Sequence, residues 1–201
     1  MKKAIIGAGG SGREVCCQML DNNPNEEITF FVDDKYAHDD ILPISKFDPL
    51  QYEVVVAIGD PKARQRLVES LPPGTKYFTF IHKTAQIIDK NIEVGEGTII
   101  CPGCILTTNI KLGKHSQLNL QTTISHDCVI GDYFTTAPGA KIAGNCGFGD
   151  RVYIGTNASV KEKISLCSDV VIGLNAGVVK SIAESGVYVG TPSKKVGDNE
   201  L

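Results

Sequence analysis

From Ile88 to Val178 every sixth residue can be read as one column, and fifteen of its sixteen members are apolar, Thr136 being the exception. A period of six fits neither the 3.6-residue repeat of a helix nor the two-residue alternation of an ordinary strand, so the repeat itself predicts the architecture. The residue two places before the marker is mostly small or apolar and never charged, as at Thr98, Cys104, Ser116, Cys128, Ala140 and Cys146, which predicts a second inward column. Two places after the marker stand Lys90, Glu96, Lys114, His126, Asp132, Asp150, Glu162 and Lys180, facing solvent or a partner. Three places after it, half of the positions are Gly or Asn, among them Asn91, Gly97, Gly103, Asn109, Gly139 and Asn145. These residues tolerate left-handed backbone angles, so this column makes corners. Three short strands and three corners form a coil of eighteen residues, and Gly95, Gly113, Gly131 and Gly149 recur at that spacing. At about 4.8 Å between stacked strands the sixteen hexads make a triangular prism roughly 25 Å tall.

The residues before the prism read differently. A short apolar strand, Lys3 to Ile6, enters Gly7-Ala8-Gly9-Gly10-Ser11-Gly12, and a helical stretch follows to about Leu20. In this strand, glycine loop and helix order, the glycines let the backbone approach a phosphate and the helix N-terminus supplies donors. A second strand, Ile28 to Val32, ends in Asp33 and Asp34, where a Rossmann-type site places the carboxylate that takes a ribose hydroxyl. A third, Val54 to Ile58, ends in Gly59-Asp60-Pro61 and opens a helix holding Arg64, expected to pair with a surface carboxylate. Tyr77 to Ile81 is predicted to close this sheet. About eighty residues are too few for two mononucleotide-binding halves, so a mononucleotide or nucleotide-sugar fits better than NAD. The alternative is that the glycines only make a tight turn.

Composition changes this picture little. A chain of 201 residues with 42% hydrophobic content can build one large domain or two small ones. A net charge of −3 gives no electrostatic case for nucleic acid or anionic membrane. The opening residues lack the pattern of a signal peptide and no run is long enough to cross a bilayer, so a cytoplasmic chain without membrane insertion is expected. Seven cysteines, an odd number, argue for free thiols. The Cys101–Cys104 pair invites a metal or redox reading, against which stand the absence of a second pair and the corner position of Gly103.

The chain as a whole resembles the bacterial nucleotide-sugar acetyltransferases that N-acetylate 4-amino-4,6-dideoxy sugars, the bacillosamine- and perosamine-type enzymes, and it is similar to the sialic acid O-acetyltransferases. The resemblance runs from GAGGSGREV through VDD, VAIGD, SHDCVIGDY and GAKIAGN to GVYVGTPSKKV. It implies a small Rossmann-like α/β domain over residues 1–83, a left-handed parallel β-helix of hexapeptide repeats over 84–180, and a tail over 181–201. It further implies a homotrimer with acetyl-CoA in the groove between neighbouring prisms and no metal. Gly7, Gly9, Gly10, Ser11, Asp33, Asp34 and Gly59 would then hold the nucleotide-sugar, with Asn119 touching the sugar. His126 would be the base, assisted by Asp127, and Gly144, Gly155 and Gly173 would lie along the acyl group and CoA. The residues support part of this themselves: His126 is in the outward column, and Gly144, eighteen residues on, lies over it with no side chain. Two departures bear on the acceptor, since amino-sugar members often carry histidine where this chain has Ser11 and some carry another where it has Thr135. The rival expectations are sugar O-acetylation, a zinc hydratase of the γ-carbonic-anhydrase type using His82, His115 and His126, a non-enzymatic nucleotide-sugar sensor, and an NAD-dependent oxidoreductase.

Overall fold

The computed structural model describes residues 1–199. Its N-terminal sheet is built from β1 (Lys2–Ile6), β2 (Ile28–Val32), β3 (Ile41–Pro43), β4 (Tyr52–Val56) and β5 (Lys76–Tyr77), with α1 (Gly10–Asn22) and α2 (Pro61–Ser70) as its helices. The strand order is β3-β2-β1-β4-β5 and every pairing is parallel. This order reverses at β1, so the sheet has the crevice at which doubly wound folds bind nucleotides. The expected third strand begins two residues earlier than the sequence suggests, at Tyr52. The edge strand β3 had no sequence signal, because it is only three residues long and ends in proline. Alternation along β1 divides its side chains between two clusters: Ala4 and Ile6 pack with Phe31, Phe47 and Val56, whereas Ile5 packs with Val15 and Met19 of α1 in a core that continues into the prism.

The expected strand Tyr77–Ile81 is divided in two. Lys76–Tyr77 belongs to the N-terminal sheet, but Phe80–Ile81 pairs with Ile99–Ile100 and is already part of the prism. From there three parallel faces stack. The first runs upward from Phe80–Ile81 and is extended past Val170–Ile172 by Gly186–Val189 and Lys194–Gly197. The second runs from Gln86–Ile87 to Gly177–Val178, and the third from Glu93–Val94 to Ser165–Leu166. Leu106, Leu118, Ile124, Ile142, Ile154 and Ile172 are buried completely or nearly so, as are Cys104, Cys128 and Ala140 of the second inward column. Thr136 is tolerated inside because its hydroxyl bonds Thr122 Oγ1 at 2.7 Å and accepts from the Asn119 amide at 3.0 Å.

One residue of the repeat is out of place. Leu106 pairs with Ile87 and not Ile88, which is 63% exposed, so the first coil holds nineteen residues and the phase does slip there. Asn91 accordingly is not a left-handed corner. The corners begin at Gly97, and fourteen successive positions at six-residue spacing, through Asn175, have φ between 50° and 74°. Tyr133, Arg151 and Lys163 are among them, held there by the coils stacked on either side.

The N-terminal domain covers the first face. Gln117 donates to the Val56 carbonyl at 2.8 Å. Arg64, 1% exposed, donates to the carbonyls of His115 and Tyr133, both at 2.8 Å, and to Thr135 Oγ1 at 2.7 Å. The expected surface carboxylate partner is therefore replaced by backbone carbonyls, because α2 turns this residue into the joint between the two domains. Burial pushes the Arg64 guanidinium down to about 9, with Asp60 and Tyr133 opposing the shift, so it is charged at neutral pH.

Candidate active site

The glycine loop stands between two hollows. Gly7, Gly9 and Asp33 line a cavity of about 730 Å³ whose other walls are apolar side chains such as Ile6, Val32, Ile41 and Leu67, with Tyr36 and His38 at its margin. Gly10, Ser11 and Gly59 line a second hollow of about 270 Å³ between α1 and the prism, opposite Asn119, Thr135 and Tyr153. Between the hollows lies the N-terminus of α1, which has no side-chain cap and no acidic residue in its first turn. Its first amides are open donors at the positive end of the helix. Gly12 must be glycine, since a Cβ there would stand 1.9 Å from the Gly7 carbonyl oxygen. The two aspartates are not equivalent. Asp33 lines the large cavity, while Asp34 lies outside it and its carboxyl is held below the usual range by Ser45, through the side chain first and then the amide, which donates at 3.0 Å.

His126 and Asp127 occupy the corner between the second and third faces. His126 Nδ1 and Asp127 Oδ2 are 2.7 Å apart, with the side chains 54% and 43% exposed. Asp127 has a φ of 60° and its other oxygen accepts from Asn109 Nδ2 at 2.5 Å; Asn109 first and His126 second hold this carboxyl below its ordinary range. One coil higher, Gly144 lies against the imidazole so closely that a Cβ would stand 2.6 Å from Nε2 and Cε1. The Gly144 amide makes no hydrogen bond among the described residues, although its carbonyl accepts from Lys163 at 3.0 Å. A free N–H beside an imidazole nitrogen is the pairing that acyl transfer needs: a donor for the oxygen that gains charge and a base for the attacking group.

Not every expected site residue joins this cluster. Asn119, Gly155 and Gly173 lie in one column on the preceding corner, between the first and second faces, with Ala137 filling the coil between Asn119 and Gly155. The Gly155 and Gly173 amides are spent on the Ile172 and Tyr188 carbonyls, at 2.7 and 2.8 Å. Their missing side chains are explained by packing, since a Cβ on Gly155 would meet Gly173 and Ile172 at 2.6 Å. The glycine loop and Asn119 thus face one edge of the prism and His126 belongs to another.

The remaining histidines take separate partners. His82 Nε2 is 3.1 Å from Asp21 and its Nδ1 is 2.9 Å from Thr84 Oγ1. His115 is buried against Tyr133 and Tyr77, and burial pushes it down to about 4. Cys101 and Cys104 are buried, and burial raises their thiols to about 12 and about 11, which keeps them protonated. Among the described residues no group of three or more His, Cys, Asp or Glu side chains could hold a metal ion. Asn109, Tyr36 and His38 escaped sequence reasoning; the eighteen-residue stacking rule applied downward from Asp127 would have found the first.

Residues 2–71 match the model of the PglD N-terminal domain. Over 153 residues the chain is 35% identical to GDP-perosamine N-acetyltransferase of Escherichia coli O157:H7, covering 70% of this chain and 69% of that one. Among solved structures it is similar to WeeI from Acinetobacter baumannii AYE, with 33% identity, a TM-score of 0.89, and coverage of 98% and 100% of the two chains. It is also similar to the acetyltransferase domain of PglB from Neisseria gonorrhoeae FA1090 in complex with acetyl coenzyme A, with 25% identity, a TM-score of 0.86, and coverage of 97% and 98%. A doubly wound sheet with an open helix N-terminus, set on a prism whose one corner pairs an imidazole with a free amide, agrees with these likenesses: the chain belongs to the nucleotide-sugar acetyltransferases built on a left-handed β-helix of hexapeptide repeats.

Proposed function

We propose that this chain transfers the acetyl group of acetyl-CoA to the amine of a nucleotide-linked 4-amino-4,6-dideoxyhexose, as a step in bacterial surface-glycan synthesis. The observation that carries the reading is the His126 ring lying against the bare α-carbon of Gly144, whose amide has no partner among the described residues. In this reading the sugar amine attacks the thioester carbonyl and the C–N bond forms. The Gly144 N–H holds the oxygen as it gains charge. His126 takes the amine proton, the C–S bond breaks, and the same proton passes to the departing thiolate. Asp127 stabilises the imidazolium formed between these steps. The nucleotide is taken by residues 1–83, with its base in the large cavity, its ribose at Asp33 and its phosphates at the open end of α1, so that the sugar lies toward Asn119. Residues 84–180 carry the acyl transfer and 181–201 form the tail, although the pairing of Phe80–Ile81 argues for counting these two residues with the prism.

The reading takes the working unit as a homotrimer in the cytoplasm, where acetyl-CoA is supplied. Pro102, Leu120 and Pro138 line an open groove along the corner that carries Asn119, and Leu174 on the same corner is 71% exposed. Apolar edges of this kind are covered by another chain. Seven unpaired cysteines suit a reducing compartment. A trimer would also bring His126 of one chain to the substrate-facing corner of the next. That the relatives include a GDP-perosamine N-acetyltransferase and a domain crystallised with acetyl coenzyme A supports both substrate classes.

The test is release of free thiol from acetyl-CoA in the presence of a panel of nucleotide-linked amino sugars, their deaminated counterparts and free sialic acid. Turnover is expected only with a nucleotide-linked 4-amino sugar. Turnover with sialic acid, or equal turnover with a sugar bearing hydroxyl in place of the amine, would overturn the assignment.

A further inference from the structure

Below the His126 corner the structure is more organised than an exposed turn requires. Asn109 sits one coil down at a φ of 50°, and its side-chain amide donates to Asp127 Oδ1 at 2.5 Å while Asp127 Oδ2 meets His126 Nδ1 at 2.7 Å. Four asparagines occupy left-handed corners: Asn109, Asn145, Asn157 and Asn175. Of these four, Asn109 alone has a side-chain bond to the corner above it among the described residues. Its own corner is fixed from beneath, where Asp89 Oδ2 accepts from Thr108 Oγ1 at 2.5 Å and from the Asn109 amide at 3.4 Å. Asp89 lies in the segment that gives the first coil its additional residue, so the break in the repeat falls where the column of contacts starts.

We propose that Asn109 is a positioning residue for the His126–Asp127 pair: it holds the Asp127 carboxylate so that one oxygen always faces Nδ1 of His126, which keeps that nitrogen protonated and leaves Nε2 free beside Gly144. A carboxylate on an exposed corner can otherwise rotate about its χ angles, and a bond to one oxygen removes that freedom. The hydrogen bond at one ring nitrogen decides which tautomer the imidazole adopts, and only the Nδ1–H tautomer offers a basic nitrogen toward Gly144. Asn109 acts through Asp127 and touches no substrate. The inference rests on the proposed role of His126 as base.

The experiment uses the full-length protein and two substitutions chosen to spare the corner. Asn109→Gly keeps the left-handed turn and removes the amide. Asn109→Asp keeps the shape and removes the donor. Nitrogen-15 NMR of the imidazole nitrogens at alkaline pH, with His126 assigned by its loss in His126→Ala, reads the tautomer directly. Wild-type protein is expected to show the Nδ1–H form of His126. Both variants should show a several-fold larger Nε2–H population, and kcat should fall about tenfold, the order found when an orienting partner of a functional histidine is removed. The Michaelis constants for acetyl-CoA and the nucleotide-sugar should stay within about twofold. An unchanged tautomer and unchanged kcat in both variants would overturn the inference. If His126→Ala itself kept full turnover, the reading of His126 as base would fall, and the tautomer populations in the two Asn109 variants would still decide whether Asn109 orients the ring.

Discussion

Two corners of the prism are built from the same six-residue pattern and serve opposite ends. At the corner between the third and first faces, three successive amides two places after a marker are satisfied by a side chain one coil higher: Lys114 N donates to Asp132 Oδ1, Asp132 N to Asp150 Oδ1 and Asp150 N to Ser168 Oγ, at 2.9 to 3.0 Å. The same corner receives Arg64 of α2, and above it Arg151 grips Asp169 through two 2.9 Å bonds while reaching Gln65 of α2 at 3.2 Å. At the corner between the second and third faces the equivalent amides of Thr108, His126, Gly144 and Glu162 have no partner among the described residues. A row of backbone donors is thus closed where the prism carries the N-terminal domain and open where an imidazole lies beside it. The proposed acyl site would use one of these unspent donors, the Gly144 amide, for the oxygen that gains charge.

Substitutions at the two corners should separate activity from stability. The largest effect is expected at the open corner, where His126→Ala should lower kcat by about 10² to 10⁴-fold while leaving the melting temperature and the acetyl-CoA Michaelis constant nearly unchanged. Asp127, held below the usual carboxylate range by Asn109 first and His126 second, stays charged into mildly acidic pH, so its protonation should add no step to the pH–rate profile near neutrality. Gly144→Ala comes next: its methyl group would displace the ring, and a misplacement of about 1 Å costs on the order of 10²-fold in rate.

At the closed corner the expected losses are of stability. Arg64→Ala removes a buried cation that three prism groups depend on, and should cost about 3 kcal/mol in denaturant unfolding, with Arg64→Lys restoring little because one ammonium cannot reach all three. Asp132→Ala, which deprives only Lys114 N of its acceptor, should cost about 1 kcal/mol and leave kcat alone. Loss of turnover in a folded Asp132→Ala protein would erase the distinction between the corners.

The prism was legible because a stacked coil repeats its demands: Leu118, Thr136, Ile154 and Ile172 occupy one site at successive heights, so each confirms the others. The slip in the first coil was not, since Ile87 and Ile88 are both apolar and nothing in the column chooses between them. Corners at Tyr133, Arg151 and Lys163 gave no sign because stacking, not residue preference, holds them left-handed. Arg64 looked like a helix-surface residue, as its partners are backbone carbonyls that no sequence pattern announces. The pairing of His126 with Gly144 could be read from a spacing of eighteen, but the separation of His126 from Gly155 and Gly173 could have been seen only by asking which of the three corners each occupies.

That separation leads to the central claim, that the glycine loop and Asn119 of one chain work with His126 of another. Co-expression of two impaired variants, Asp33→Ala with weakened nucleotide-sugar binding and His126→Ala without its base, tests it directly. If each site is shared between chains, the unfractionated trimers should show about one quarter of wild-type activity at a nucleotide-sugar concentration too low for Asp33→Ala to turn over, the fraction of interfaces in a randomly mixed closed ring that join an intact substrate half to an intact base. If each chain carries a complete site, no interface recovers and the mixture should be no more active than the average of its two parents, a result that would contradict the account.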